Sequence, residues 1–134
     1  MGGSMNVLSG TLELLVLQTL GNGAQLHGFE VLDAIRNATG EALVIEEGAL
    51  YPALHRLEKK GMIEAEWGQT ELNRQGKFYS LTEAGRAALS TEQERWRAYA
   101  RAVEAVLEVF RSEGFAHAAV VGEMVAAAAE VAVA

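Results

Sequence analysis

At 134 residues, half of them hydrophobic and 22% charged, the chain is the length of one domain and too apolar for a disordered polymer. It contains no cysteine, which excludes disulfides, thiolate metal sites, iron–sulfur clusters and cysteine nucleophiles. Eleven basic residues against 18 acidic ones give a net charge of −7, so the molecule as a whole has no electrostatic grip on nucleic acid or anionic lipid. Binding to either would need a local basic surface.

The opening residues, Met1 to Met5, carry neither positive charge nor an apolar stretch, and residues 1–9 are expected to be a disordered or tag segment. The apolar tail from Ala116 is interrupted by His117, Gly122, Glu123 and Glu130, which is too polar for a membrane span. A cytoplasmic location is expected. Residues 10–81 read as a head domain and 82–134 as a helical arm with an Ala/Val-rich tail.

The first periodic run, Leu12 to Leu20, is apolar enough for a buried helix and is stopped by Gly21, Asn22 and Gly23. Phe29, Leu32 and Ile35 then recur at helical spacing before Gly40. Leu50, Leu54 and Leu57 signal a third helix that ends at Gly61. Beyond it the period changes from 3.6 to 2. Residues 62–67 and 77–81 alternate, with a polar loop from Gly68 to Gly76 between them, which predicts a β-hairpin with a long tip. Thr82 is placed to cap a last helix running to about Arg111, ~45 Å at 1.5 Å per residue.

Along that last helix Leu89, Trp96, Val103 and Phe110 are seven apart, with Tyr99 and Val106 between them. Only Glu92 breaks the series. A stripe of that length asks for a second helix, most simply from another copy of the chain, so these six residues are the expected dimer interface. Val120, Val121, Met124 and Val125 in the tail would extend it as a short helix after Gly114.

Three helices, a hairpin wing and a long helix outline a mainly α fold, a winged helix-turn-helix head with a dimerisation arm. On the third helix, 100° steps put Leu50, Ala53, Leu54 and Leu57 on one face. Gly48, Pro52, His55, Arg56 and Lys59 fall on or near the other. Docked by its leucines, such a helix presents small, imidazole and cationic groups to a major groove. Arg74 and Lys77 on the hairpin would track a backbone or enter the minor groove. Any one of these cations read alone is a solvated surface charge, but here they converge on one helix and one hairpin.

Three runs carry a family resemblance. LHGFEV at residues 26–31, EGALYPALHRLEKKGMI at 47–63 and GKFYSLTEAG at 76–85 resemble the PadR family of transcriptional regulators, over roughly residues 10–110. The second run is similar to the family's recognition helix and the third to its wing. The resemblance implies a homodimeric repressor on a palindromic double-stranded DNA operator, released by a small molecule or another signal. It assigns Tyr51, Pro52, His55 and Arg56 to the recognition helix and Lys77 and Tyr79 to the wing. Glu46 and Glu47 depart from the small hydroxyl residue more usual at that helix start; they suit the helix dipole but repel phosphate.

The remaining singled-out residues have plain structural readings. His27 and Gly28 read as a packing and turn feature, His55 with Glu58 as a surface pair rather than a metal site, and Trp67 as a wing residue covering the head. Trp96 is first a large knob in the seam. In a multidrug-sensing branch of the family a tryptophan on this helix stacks on flat ligands, so Trp96 and Tyr99, with Glu92 as a carboxylate, form the candidate site for a small aromatic effector. No cofactor or metal is expected. An enzyme is disfavoured by inventory, with one aspartate (Asp33), three scattered histidines and no phosphate-binding glycine loop. The alternative is a winged-helix module that binds protein rather than DNA.

Overall fold

The structure, a computed structural model, describes residues 5–6 and 10–111. In chain order the elements are β1 (Met5–Asn6), α1 (Leu12–Thr19), β2 (Leu26–His27), α2 (Gly28–Ala38), β3 (Leu43–Val44), α3 (Glu47–Lys59), β4 (Ile63–Gln69), β5 (Gln75–Leu81) and α4 (Glu83–Val109). By internal contacts the chain divides into two units, residues 1–91 and 92–134. The expected tail helix around Val120–Val125 lies outside the described residues.

Three helices and a small sheet build the first unit. Val16, Leu17 and Leu20 from the α1 region meet Val31, Leu32 and Ile35 of α2 and Leu50, Leu54 and Leu57 of α3 in one core. The sheet closes it with Ile63, Tyr79 and Leu81. Burying several side chains of this size, each stabilising by about 1.5–3 kcal/mol, fixes the orientation of α3. The expected leucine face of α3 is therefore the observed one: Leu50, Ala53, Leu54 and Leu57 are fully covered.

The wing is an antiparallel hairpin in register Ile63↔Leu81, Ala65↔Tyr79, Trp67↔Lys77 and Gln69↔Gln75. Its tip is shorter than the nine-residue loop expected. Gly68 and Gly76 pair across the ladder, and the turn is confined to Thr70–Arg74. There the Thr70 N–H donates to the Arg74 carbonyl (2.8 Å), the Asn73 N–H donates to the Thr70 carbonyl (2.9 Å), and Asn73 takes φ 60°, which asparagine tolerates. A third strand went unpredicted: β2 pairs antiparallel with β5, Leu26↔Tyr79 and His27↔Phe78. Within the segment expected to be disordered, Met5–Asn6 pair in parallel with Leu43–Val44.

His27 both ends β2 and caps α2. Its Nδ1 accepts the Glu30 N–H (3.3 Å), while the Glu30 carboxylate accepts the His27 N–H (3.1 Å), a reciprocal capping box. The packing-and-turn reading of His27 thus becomes a specific hydrogen-bonded cap.

Thr82 joins the wing to α4. Its hydroxyl donates to the Gly61 carbonyl (2.6 Å) and accepts the Gly85 N–H (3.0 Å), the N-cap bond expected of it. Gly85 is required by steric contact, because a Cβ there would sit inside the Met62 carbonyl oxygen. Gly61 closes α3 with φ 77°, the left-handed conformation expected at that stop.

Leu89 corrects the seam as read from the sequence. It is 8% exposed and belongs to the core of the first unit, where it meets Gly21, so it is covered within its own chain. Of the stripe, Trp96, Tyr99, Val103, Val106 and Phe110 are between 38% and 63% exposed. Among the described residues no helix is long and apolar enough to cross a membrane.

Candidate nucleic-acid interface

The face of α3 opposite its leucines is open. Gly48, Tyr51, Pro52, His55, Arg56 and Lys59 are all exposed, as a helix docked by one face requires. Pro52 lies inside the helix and lacks an N–H, so the Gly48 carbonyl loses its helical donor. Glu46 precedes the helix without a side-chain capping bond, and Glu47 lies in its first turn. Both carboxylates favour the helix dipole and repel phosphate at that end.

Tyr51 owes its position to Gly28. A Cβ on Gly28 would lie 2.8 Å from the Tyr51 ring and hydroxyl, so the tyrosine rests on the first turn of α2 and couples the two helices. The glycine of the LHGFEV run and the tyrosine of LYPALHRLE are therefore one structural unit.

Charge on this surface is already partly spent. Arg56 Nε is 3.1 Å from one oxygen of Glu13 on α1, and Lys60 Nζ is 3.3 Å from the other. Lys77 Nζ is 3.2 Å from Glu58 of α3 and 5.8 Å from the centre of the Tyr79 ring. The lysine thus ties the wing to α3, and Glu13 ties α3 to α1. Each pair is substantially exposed and contributes about 0.2–1 kcal/mol. Lys59 and the Arg74 guanidinium have no ion pair among the described residues. Tyr79 is buried, and burial holds its phenol above the ordinary tyrosine range, partly offset by Lys77.

The structure brings His55, Lys59 and Lys77 together with Glu58 around one shallow depression of about 310 Å³. That joins the predicted helix cations to the predicted wing lysine. Arg74 sits apart, at the tip. Among the described residues no three His, Asp or Glu side chains are grouped to hold a metal ion.

Two sequence readings are corrected here. Trp67 does not cover the head: it is 66% exposed, because Ile63 and Ala65 occupy the inward positions over the core and Trp67, next on that face, lies beyond its edge. Phe29 is 52% exposed, since the buried face of α2 runs through Gly28, Val31, Leu32 and Ile35. Glu92, offered as the carboxylate of an effector site, bonds Arg95 one turn along (3.1 Å). The Trp96 and Tyr99 rings are 6.2 Å apart and tilted by 39°.

Comparison with known proteins agrees with this geometry. The pattern of the family described as "Transcriptional regulator PadR-like family" matches residues 16–91. An uncharacterised protein of Lysinibacillus sphaericus is 29% identical over 103 residues, covering 77% of this chain and 94% of that protein. A transcriptional regulator from Clostridium thermocellum is 29% identical, with a TM-score of 0.64 over 71% of this chain and 91% of its own. A PadR-family transcriptional regulator from Eggerthella lenta is 28% identical, with a TM-score of 0.64 over 74% and 83%.

Proposed function

Given that this chain belongs to the PadR-like family of transcriptional regulators, we propose that it is a homodimeric repressor that occupies a palindromic operator through α3 and the wing. The observation that carries this reading is the exposed face of α3, with His55 and Lys59 converging on Lys77 of the wing. On that reading Tyr51, Pro52, His55 and Arg56 face the major groove, with Gly48 admitting close backbone approach. Lys59, Arg74 and Lys77 meet phosphates.

The dimer is supported by the exposed apolar stripe Trp96, Tyr99, Val103 and Val106, with Leu107 beside it, a run of large apolar groups facing solvent on one long helix. Residues 82–134 would act as its dimerisation arm. Release by a flat aromatic effector between paired Trp96 and Tyr99 rings is supported by the spacing of those rings. Such a ligand would favour one dimer geometry over another and so move the recognition helices off their half-sites.

The test is the affinity of the full chain for the DNA upstream of its own coding sequence, measured at several salt concentrations. Saturable binding that weakens steeply with salt supports the proposal. Absence of salt-dependent DNA binding would instead favour a winged-helix module for a protein partner, the role to which the −7 net charge is better suited.

A further inference from the structure

Beside the recognition helix, and separate from the Trp96 stripe, the first unit holds a cleft of about 870 Å³ between the start of α2, Tyr51 of α3 and the underside of the wing. Its walls are Phe29, Tyr51, Trp67 and Leu72, four large side chains that are each 46–77% exposed. Three of them are aromatic and come from three different elements. Tyr51 packs on Gly28, but Phe29, Trp67 and Leu72 each leave more than half of their surface to solvent, an exposed apolar set of the kind that marks an interaction site.

The charge of the cleft narrows what can enter. Its lining includes the carboxylates of Glu30, Asp33 and Glu71 against the single cation Lys77. Lys77 is already neutralised by Glu58, and Asp33 is answered by Arg36 at 3.4 Å. Glu30 uses one oxygen in the α2 cap, where the His27 Nδ1 accepts the Glu30 N–H. Glu71 has no ion pair among the described residues. The surplus charge is negative, over aromatic faces whose quadrupoles also favour cations.

We propose that this cleft is a binding site for a small planar aromatic cation, stacked on Trp67 with its charge directed to Glu71 and Glu30. Its volume is that of a small-molecule site rather than of a protein-docking face. Anionic DNA backbone is a poor occupant of the same space, yet Tyr51 and Lys77 line both the cleft and the surface assigned above to DNA. The occupied cleft and operator binding therefore oppose one another, a consequence that rests on the DNA-binding reading, whereas the ligand site itself does not.

The experiment uses the full chain carrying Trp96→Phe, so that Trp67 is the sole indole, and titrates N-methylquinolinium against its emission. Quinoline-2-carboxylate, of similar shape and opposite charge, is the comparator. Saturable quenching by the cation and none by the anion is expected. Glu71→Gln should weaken the cation about two- to fivefold. Leu72→Ala, at an exposed tip position that leaves the fold intact, should weaken it by a similar factor. In the wild-type chain, calorimetry should show the affinity found in Trp96→Phe as one binding component, and Trp67→Ala should weaken that component by about tenfold.

Equal binding of both probes, no saturable quenching of Trp67, or binding lost with Trp96 and kept with Trp67→Ala would overturn the site. A lysine-rich peptide that binds where the quinolinium does not would overturn it in favour of a protein partner. In a separate arm without ligand, promoter binding reports on the DNA reading alone, so failure there leaves the cleft result standing. Unchanged promoter affinity at saturating quinolinium would overturn the opposition between the two.

Discussion

If Lys77 contacts phosphate as proposed, replacing Glu58 by glutamine should tighten DNA binding, because the carboxylate holds that lysine. Lys77 and Glu58 are 3.2 Å apart with each side chain about one-third exposed, so solvent screens the pair and limits it to about 0.2–1 kcal/mol. Two copies in a dimer make that about 0.4–2 kcal/mol, about a two- to thirtyfold gain in affinity. Removing a negative charge that faces phosphate adds in the same direction. The double-mutant cycle with Lys77→Ala separates the two effects. Lys77→Ala alone should flatten the salt dependence by about 0.9 per subunit. In that background Glu58→Gln should return only the repulsion component. Fluorescence anisotropy of a labelled promoter fragment at several salt concentrations measures all four proteins. An equal gain from Glu58→Gln in both backgrounds would refute the view that Glu58 restrains Lys77, and no gain in either would refute the placement of this face on DNA.

Charged residues at Val103 and Phe110 together should give monomer or unfolded chain in analytical sedimentation, since both lie on the proposed, solvent-facing dimer stripe; a folded dimer would sink that interface. Gly85→Ala should cost about 2 kcal/mol or more in thermal unfolding, because its Cβ overlaps the Met62 carbonyl and the helix start must shift. The raised phenol of Tyr79 binds its proton more tightly folded than unfolded. Its contribution is thus complete below about pH 10 and is lost as pH rises through the folded value, so Tyr79→Phe should flatten the alkaline loss of stability in denaturant titrations.

The helices, the leucine face of α3 and the wing are legible in sequence because each is a local period: Leu50, Leu54 and Leu57 at helical spacing, then alternation from Ile63. The exposed partners of that face follow at once from geometry. Leu89 shows the limit of the same method. Periodicity identifies the face a residue occupies and not what covers it, and Leu89 shares the heptad register of Trp96 while packing into the core near Gly21. β2 escaped notice because two residues cannot show alternation, and its existence depends on pairing with Tyr79 and Phe78 some fifty positions away. The ion pairs Arg56–Glu13 and Lys77–Glu58 span 43 and 19 positions, so the partial neutralisation of the basic surface has no sequence signature. The cleft is hidden for the same reason, its three rings coming from α2, α3 and β4. One signal was present and unread: Gly28 and Tyr51 lie in two separate runs of the family pattern, and each explains the other.

The central claim, a dimer reading a two-fold operator through α3 and the wing, is tested most directly by hydroxyl-radical footprinting of the full chain on the DNA upstream of its own coding sequence. Such a dimer gives two protected segments related by a two-fold axis and centred about 10 base pairs, one helical turn, apart, both lost together in the Val103 and Phe110 double variant. A single unpaired protected segment, or uniform cleavage at protein concentrations well above those that saturate any binding, would contradict it.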